Sequence, residues 1–115
     1  MYANNPDAGG NPPAGFIRTN GSQDYGTTGG SALSLNTWAH LATTYDGHDL
    51  KTYVNGVLIS TNSAPEGNIL TSNMALQIGG NSIWGEYFTG LIDDVRVYNT
   101  ALSVSQIQTD MNTGL

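Results

Sequence analysis

Cysteine is absent from the chain. No disulfide can staple the fold and no thiolate zinc site can form, so the core has to hold by packing alone. Positive charge is nearly as scarce. Arg18, Lys51 and Arg96 stand against nine acidic residues, for a net charge of −6. A nucleic-acid binder needs a basic footprint to displace counterions from phosphates, so that class is excluded. Attraction to an anionic membrane surface falls with it. A neutral polymer or a cation suits such a surface better. No run approaches the roughly 20 apolar residues that a membrane span requires. Residues 1–13 carry neither the basic n-region nor the apolar h-region of a signal peptide, so the signal of a secreted parent protein would lie outside this chain.

What the chain does contain is glycine, asparagine, serine and threonine, with aromatic and β-branched residues gathered in short periodic runs. A length of 115 residues supports a single domain over 1–115 with one core. The pattern predicts an all-β fold with many turns. Residues 1–34 form a loop-rich N-terminal segment. Within it, residues 1–14 hold Pro6, Pro12 and Pro13 and read as a surface arm. A short strand is expected over 15–19, a turn at Asn20-Gly21 and a return strand over 23–25. From residue 35 the signal sharpens into the sandwich core. Residues 38–45 read as an interior strand. Residues 50–54 and 57–61 flank Asn55-Gly56, the signature of a type I′ hairpin. Residues 74–79 and 90–99 read as further strands, the latter as the last long strand of the fold. Ser103 with Gln106 forms a capping box and predicts a short C-terminal helix ending near Gly114.

Two constellations could carry chemistry. The loop 81–87 offers Trp84 and Tyr87 as aromatic faces, with Asn81 and Glu86 as hydrogen-bonding groups. Sugar recognition needs these two kinds of group together, and Tyr25 and Asn20 could join from the other end of the chain. The competing reading folds Trp84 back as a cap on the core. The second constellation is Asp93-Asp94. Neighbouring side chains on a strand point to opposite faces, so this pair does not form a retaining glycosidase couple, whose carboxyls lie about 5–5.5 Å apart on one side. One of the two can instead serve as a fold determinant, accepting backbone N–H bonds with Arg96 nearby. His40 and His48 are separated by a strand end and a turn. They read as a packed strand residue and a solvated turn residue rather than as metal ligands. No nucleophile elbow and no phosphate-binding loop occurs.

The blocks Trp38-Ala39-His40, Thr44-Tyr45-Asp46-Gly47, Leu50 with Tyr53-Val54-Asn55-Gly56, Leu76-Gln77-Ile78-Gly79 and Phe88-Thr89-Gly90-Leu91-Ile92-Asp93-Asp94-Val95-Arg96-Val97-Tyr98-Asn99, followed by Ala101-Leu102-Ser103, resemble the laminin-G-like jelly-roll family. That family lies within the concanavalin-A-like lectin/glucanase superfamily, and the resemblance runs over residues 35–111. It implies a concanavalin-A-like jelly-roll β-sandwich closed by a short helix. The family is a scaffold for glycan binding, adhesion and, in some relatives, glycoside cleavage. The glucanase motif Glu-x-Asp-x-x-Glu is absent, the only glutamates being Glu66 and Glu86. The resemblance also implies a structural calcium ion, with Asp93 at the matching ligand position, Asp94 beside it, and Asn4, Asn5 and Asp7 as further donors. Family members carry more strands before the Trp-x-His block than residues 1–34 can supply. The sandwich is therefore expected to be short of strands and to present open sheet edges to a second copy or a partner chain.

The expected function is a non-catalytic carbohydrate- or glycoconjugate-binding module, belonging to an exported bacterial protein and working outside the cell or at its surface. The alternatives are a structural or adhesion module acting by protein–protein or self-association, and a minimal glycan-active enzyme using Glu86 or Asp93.

Overall fold

The computed structural model describes Met1, Ala3 and residues 9–114. Two short antiparallel sheets face one another and a helix closes one end. The first sheet pairs β1 (Ala14–Arg18) with β2 (Asp24–Thr28). The second orders β3 (Leu41–Tyr45), β4 (Leu50–Val54) and β5 (Val57–Asn62), with β4 central. A separate two-residue hairpin joins β6 (Gly80–Asn81) to β7 (Glu86–Tyr87). Helix α1 spans Val104–Met111.

The expected central hairpin is present. Asn55 and Gly56 adopt φ values of 50° and 72°, the positive pair that a type I′ turn requires. The β4–β5 register slips between Thr52 and Tyr53: Thr52 pairs with Ser60 and Tyr53 with Leu58. Ile59 is thus the extra residue of a bulge, which increases the local twist. The β1–β2 hairpin also forms, although the left-handed residue in its turn is Ser22, at φ 62°, rather than Asn20 or Gly21. The turn is closed by the Ser22 amide donating to the Thr19 carbonyl at 2.9 Å.

Small and hydroxylated residues bring the two sheets close. A β-carbon on Gly15 would lie 2.6 Å from the Thr43 side chain and 2.8 Å from Thr52 Oγ1, so only glycine permits this approach. Thr27 and Thr52 share a hydrogen bond between buried hydroxyls, which satisfies two polar groups that burial would otherwise penalise. Asn62 Nδ2 donates across to the Gly26 carbonyl at 2.9 Å. Leu50, Tyr53, Ala14 and, from the helix, Ile107 form the buried apolar core.

Helix α1 starts as the capping box dictates. The Ser103 hydroxyl accepts from the Gln106 amide, and the Gln106 side chain accepts from the Ser103 amide at 2.8 Å. Two of the orphan donors at the helix start are satisfied in this way.

Three expectations are corrected. Residues 38–40 lie outside β3, which begins at Leu41. Residues 74–79 form no strand, and neither do residues 90–99, the run with the strongest strand pattern. Two physical reasons account for the last. Asp94 sits at φ 50°, a left-handed conformation that interrupts an extended strand. In addition, a strand persists only when neighbouring strands take up its backbone groups, and no ladder reaches this run among the described residues. Its apolar side chains are left outside, Val97 at 81% exposure, as is Leu76 at 78% in the earlier run. Among the described residues the only strands after β5 are the two-residue β6 and β7.

Candidate functional site

The 81–87 loop is a tight hairpin rather than an irregular loop. Gly80 pairs with Tyr87 and Asn81 with Glu86. Cross-strand partners share a face and neighbours along a strand do not. Asn81 and Glu86 therefore form one polar pair, while Tyr87 lies on the other face, its ring over Gly80. A β-carbon on Gly80 would sit 2.8 Å from Tyr87 Cδ1, so glycine is what lets the ring lie flat there. The Asn81 carboxamide oxygen accepts from the Ile83 amide at 3.1 Å, an Asx-type closure of the turn that keeps the Asn81 NH2 as donor. Gly85, at φ 68°, turns the chain back. Trp84, at the hairpin tip, is 74% exposed and Tyr87 is 71% exposed, so Trp84 does not cap the core.

The structure brings together Asn81 and Glu86 and puts Trp84 at their apex, while Tyr87 sits on the reverse side. Asn20 and Tyr25 belong elsewhere. Tyr25 pairs with Ile17 in the first sheet. The Asn20 amide donates to the Asn68 carbonyl at 3.0 Å, and its side chain packs against Gly67.

Asp93 and Asp94 do not sit on a regular strand. Asp93 Oδ1 accepts from the Asp94 amide at 2.9 Å, and the left-handed backbone at Asp94 breaks the alternation that would have split the pair across two faces. Calcium takes six to eight oxygens. Among the described residues no group of three or more histidine or acidic side chains converges on a metal position. Asn4, Asn5 and Asp7, the further donors expected for calcium, lie outside the described residues.

Arg96 reaches the end of helix α1. Its guanidinium lies 3.3 Å from Asp110 Oδ1 and donates to the carbonyls of Asp110, at 2.8 Å, and Thr113. Tyr98 donates its hydroxyl proton to Asp110, and this bond raises the phenol pKa.

A second charged cluster occupies the turn between β3 and β4. Asp46 Oδ1 accepts from the amides of Asp49 at 2.7 Å and His48 at 3.0 Å, and these bonds hold its carboxyl below the usual range. Asp49 bonds Lys51 at 2.8 Å and Ser63 at 2.5 Å, which lowers the Asp49 pKa and raises that of Lys51. His48 is a solvated turn residue, as its position suggested. The cluster is a turn lock in which one lysine serves two carboxylates, Asp49 at 2.8 Å and Asp46 at 3.9 Å.

One concavity falls on residues that the sequence reading did not single out as a site. A cleft of about 260 Å³ lies between the 29–39 segment and the β4–β5 turn, with Trp38 and Asn55 in its lining. Trp38 read as a strand residue. The signal that could have marked it is its setting, a tryptophan directly after Asn36-Thr37 and a few residues beyond the Gly29-Gly30 loop.

No helix among the described residues is long and apolar enough to cross a membrane. In sequence, the chain is 34% identical over 79 residues to pappalysin-1 from Mus musculus, and 33% identical over 79 residues to pappalysin-1 from Homo sapiens. Each match covers 66% of this chain and 5% of the relative, so the chain corresponds to a small part of those proteins. In structure, it matches a 2.1 Å crystal structure of an S-layer domain-containing protein (residues 221–444) from Clostridium thermocellum. The TM-score is 0.54 at 26% identity, over 76% of this chain and 45% of that one. The laminin-G family model, described as the concanavalin A-like lectin/glucanases superfamily, matches residues 4–108. This match reaches back through the N-terminal segment, well before residue 35, and the chain belongs to the laminin-G-like family of that superfamily.

Proposed function

We propose that this chain is a non-catalytic carbohydrate-binding module whose contact surface is the β6–β7 hairpin. The observation that carries the reading is the exposed Trp84 at the apex of a hairpin whose one face presents Asn81 and Glu86. An aromatic face covers the C–H surface of a sugar ring, and the amide and carboxylate take its hydroxyls. The scarcity of positive charge favours neutral glycans over sulfated or uronic ones. Tyr87, on the reverse face, would touch a ligand only if the glycan wraps the hairpin edge. Affinities between millimolar and micromolar, on the order of −4 to −8 kcal/mol, suffice for such a site. Laminin-G-like membership and the S-layer domain-containing neighbour support a module acting outside the cell or at its surface. Retention on a panel of insoluble neutral polysaccharides, lost in Trp84→Ala, is the expected result. No retention of the wild type on any of them would overturn the reading.

A structural calcium ion at Asp93 and Asp94 belongs to this proposal, and it requires oxygen donors beyond these two carboxylates. A melting temperature that falls on addition of EDTA and recovers with excess calcium is the expected behaviour. An unchanged melting temperature would remove the ion.

The exposed apolar runs favour a second reading, an adhesion module that self-associates. Leu76, Ile78, Leu91, Val95 and Val97 are exposed, and unpaired strand-like segments of this composition pair readily with another chain. A mass that rises from monomer to dimer with concentration in light scattering is expected on that reading, and a constant monomer mass would contradict it.

A further inference from the structure

We propose that the cleft beside Trp38 is a separate subsite that takes a single neutral pyranose ring. The inference rests on reading the chain as a glycan-binding module, but on a different surface, since no residue of the β6–β7 hairpin lines this cleft.

The cleft carries no charge at all. Its lining consists of glycine, alanine, serine, threonine, asparagine, tryptophan and aliphatic side chains, in a protein whose net charge is −6. An ionic ligand would find no counter-charge there, and a desolvated ion without a partner is costly. A neutral molecule with one apolar face and a rim of hydroxyls matches the lining. Trp38 is 65% exposed and supplies the flat apolar surface, as aromatic side chains do in ligand sites. The volume of about 260 Å³ falls just under the roughly 300 Å³ at which drug-sized pockets begin, which suits one ring rather than a chain.

A polar group of the lining, Asn55, is held in place before any ligand arrives. Asn55 donates its backbone N–H to the His40 carbonyl at 2.8 Å, and its side-chain oxygen accepts from the His40 amide at 2.9 Å. With that oxygen engaged, the carboxamide keeps its NH2 group as a hydrogen-bond donor for a ligand hydroxyl. Because the type I′ turn fixes the Asn55 backbone, little ordering entropy is lost on binding. The Ser31 and Ser34 hydroxyls, also in the lining, can donate or accept.

Two of the lining positions, Gly29 and Gly30, have to be glycine. A β-carbon at Gly29 would lie 2.8 Å from the Ile59 carbonyl oxygen, and Gly30 adopts φ 78°. Close backbone approach and left-handed geometry both demand glycine, and the absence of side chains leaves the cleft open there. The Ile59 bulge in β5 supplies the carbonyl against which the loop rests.

The chain contains two tryptophans, so its indole N–H groups give two signals in a ¹H–¹⁵N correlation spectrum. Trp38→Phe and Trp84→Phe variants assign them. The wild type is titrated with methyl glycosides of glucose, mannose, galactose and N-acetylglucosamine, and with methyl glucuronide as the charged comparison. Saturable shifts of the Trp38 indole and the Asn55 side-chain amide with at least one neutral glycoside, and not with the glucuronide, are expected. Asn55→Gly keeps the positive φ of the turn while removing the carboxamide. It should weaken that binding about ten-fold or more, the loss of a good hydrogen bond. The dispersion of its own spectrum reports whether it folds, and Ser34→Ala, at an exposed position, is a second variant expected to weaken binding. Shifts confined to Trp84 would overturn this subsite and leave the hairpin reading standing. Shifts confined to Trp38 would support the subsite and count against the hairpin. No shift at either indole would overturn both.

Discussion

Gln108 of helix α1 donates from Nε2 to the carbonyl of Gly56 at 3.1 Å, across 52 residues of chain. The β4–β5 turn is thereby tied to the closing helix, whose Ile107 is buried beside it. A β-carbon at Gly56 would lie 2.8 Å from Gln108 Cγ, and Gly56 adopts φ 72°. Gly56→Ala therefore meets both backbone strain and a clash. A loss of about 1–2 kcal/mol is expected, read as a lower urea midpoint at unchanged slope.

The run 90–99, which lies in no strand, is fastened to the closing helix through Arg96. Its guanidinium meets Asp110 and two carbonyls near the end of helix α1. Arg96→Ala removes charge-assisted bonds and leaves those carbonyls to water. A destabilisation of about 1–3 kcal/mol is expected, with helix-end amides near residues 110–113 losing hydrogen-exchange protection first. Unchanged protection there would show that the helix end is held by other contacts.

The helix start should respond on a smaller scale. Ser103 caps α1 with its hydroxyl and donates its own amide to Gln106 Oε1. Ser103→Ala should cost about 1 kcal/mol and Ser103→Asp much less, since aspartate caps as well as serine. Thermal unfolding of the two variants side by side checks this.

Acid should loosen the turn between β3 and β4. Asp46 and Asp49 are both held below the ordinary aspartate range, Asp46 by two backbone amides and Asp49 by Lys51 and Ser63. The folded chain keeps these groups ionised where the unfolded chain, with aspartates near 3.9, has begun to bind protons. Their contribution is complete above about pH 5 and is lost as the pH falls through the unfolded and then the lower folded values. Urea midpoints measured from pH 6 to pH 2 should decline along this limb. Asp46→Asn should flatten it and lower stability near neutrality.

Local signals were the legible part of this fold. Asn55-Gly56 and Ser103 with Gln106 each specify a conformation through interactions within a few residues, and both appear as the sequence predicts. Residues 90–99 show where such signals end. Alternating apolar residues state that a segment can pair, but not that a partner strand lies beside it, and a left-handed residue at Asp94 leaves no mark in the pattern. The candidate hairpin was legible as a set of residues but not as a geometry. The two-residue strands β6 and β7 put Glu86 and Tyr87 on opposite faces, and the pairing register that decides this is set by the turn, not by residue type. Trp38 was hidden for the opposite reason: its neighbours looked like a strand, so its exposure beside a glycine-walled cleft emerged only in three dimensions.

On the carbohydrate-binding reading, a neutral glycan is held by the Trp84 hairpin. Isothermal titration of wild type and Trp84→Ala with the best-retained soluble oligosaccharide tests it most directly. Loss of a stacking aromatic at the centre of a small site should weaken binding at least ten-fold, about 1.4 kcal/mol, with the melting temperature unchanged because Trp84 is exposed. Equal affinities for the two proteins would contradict the account.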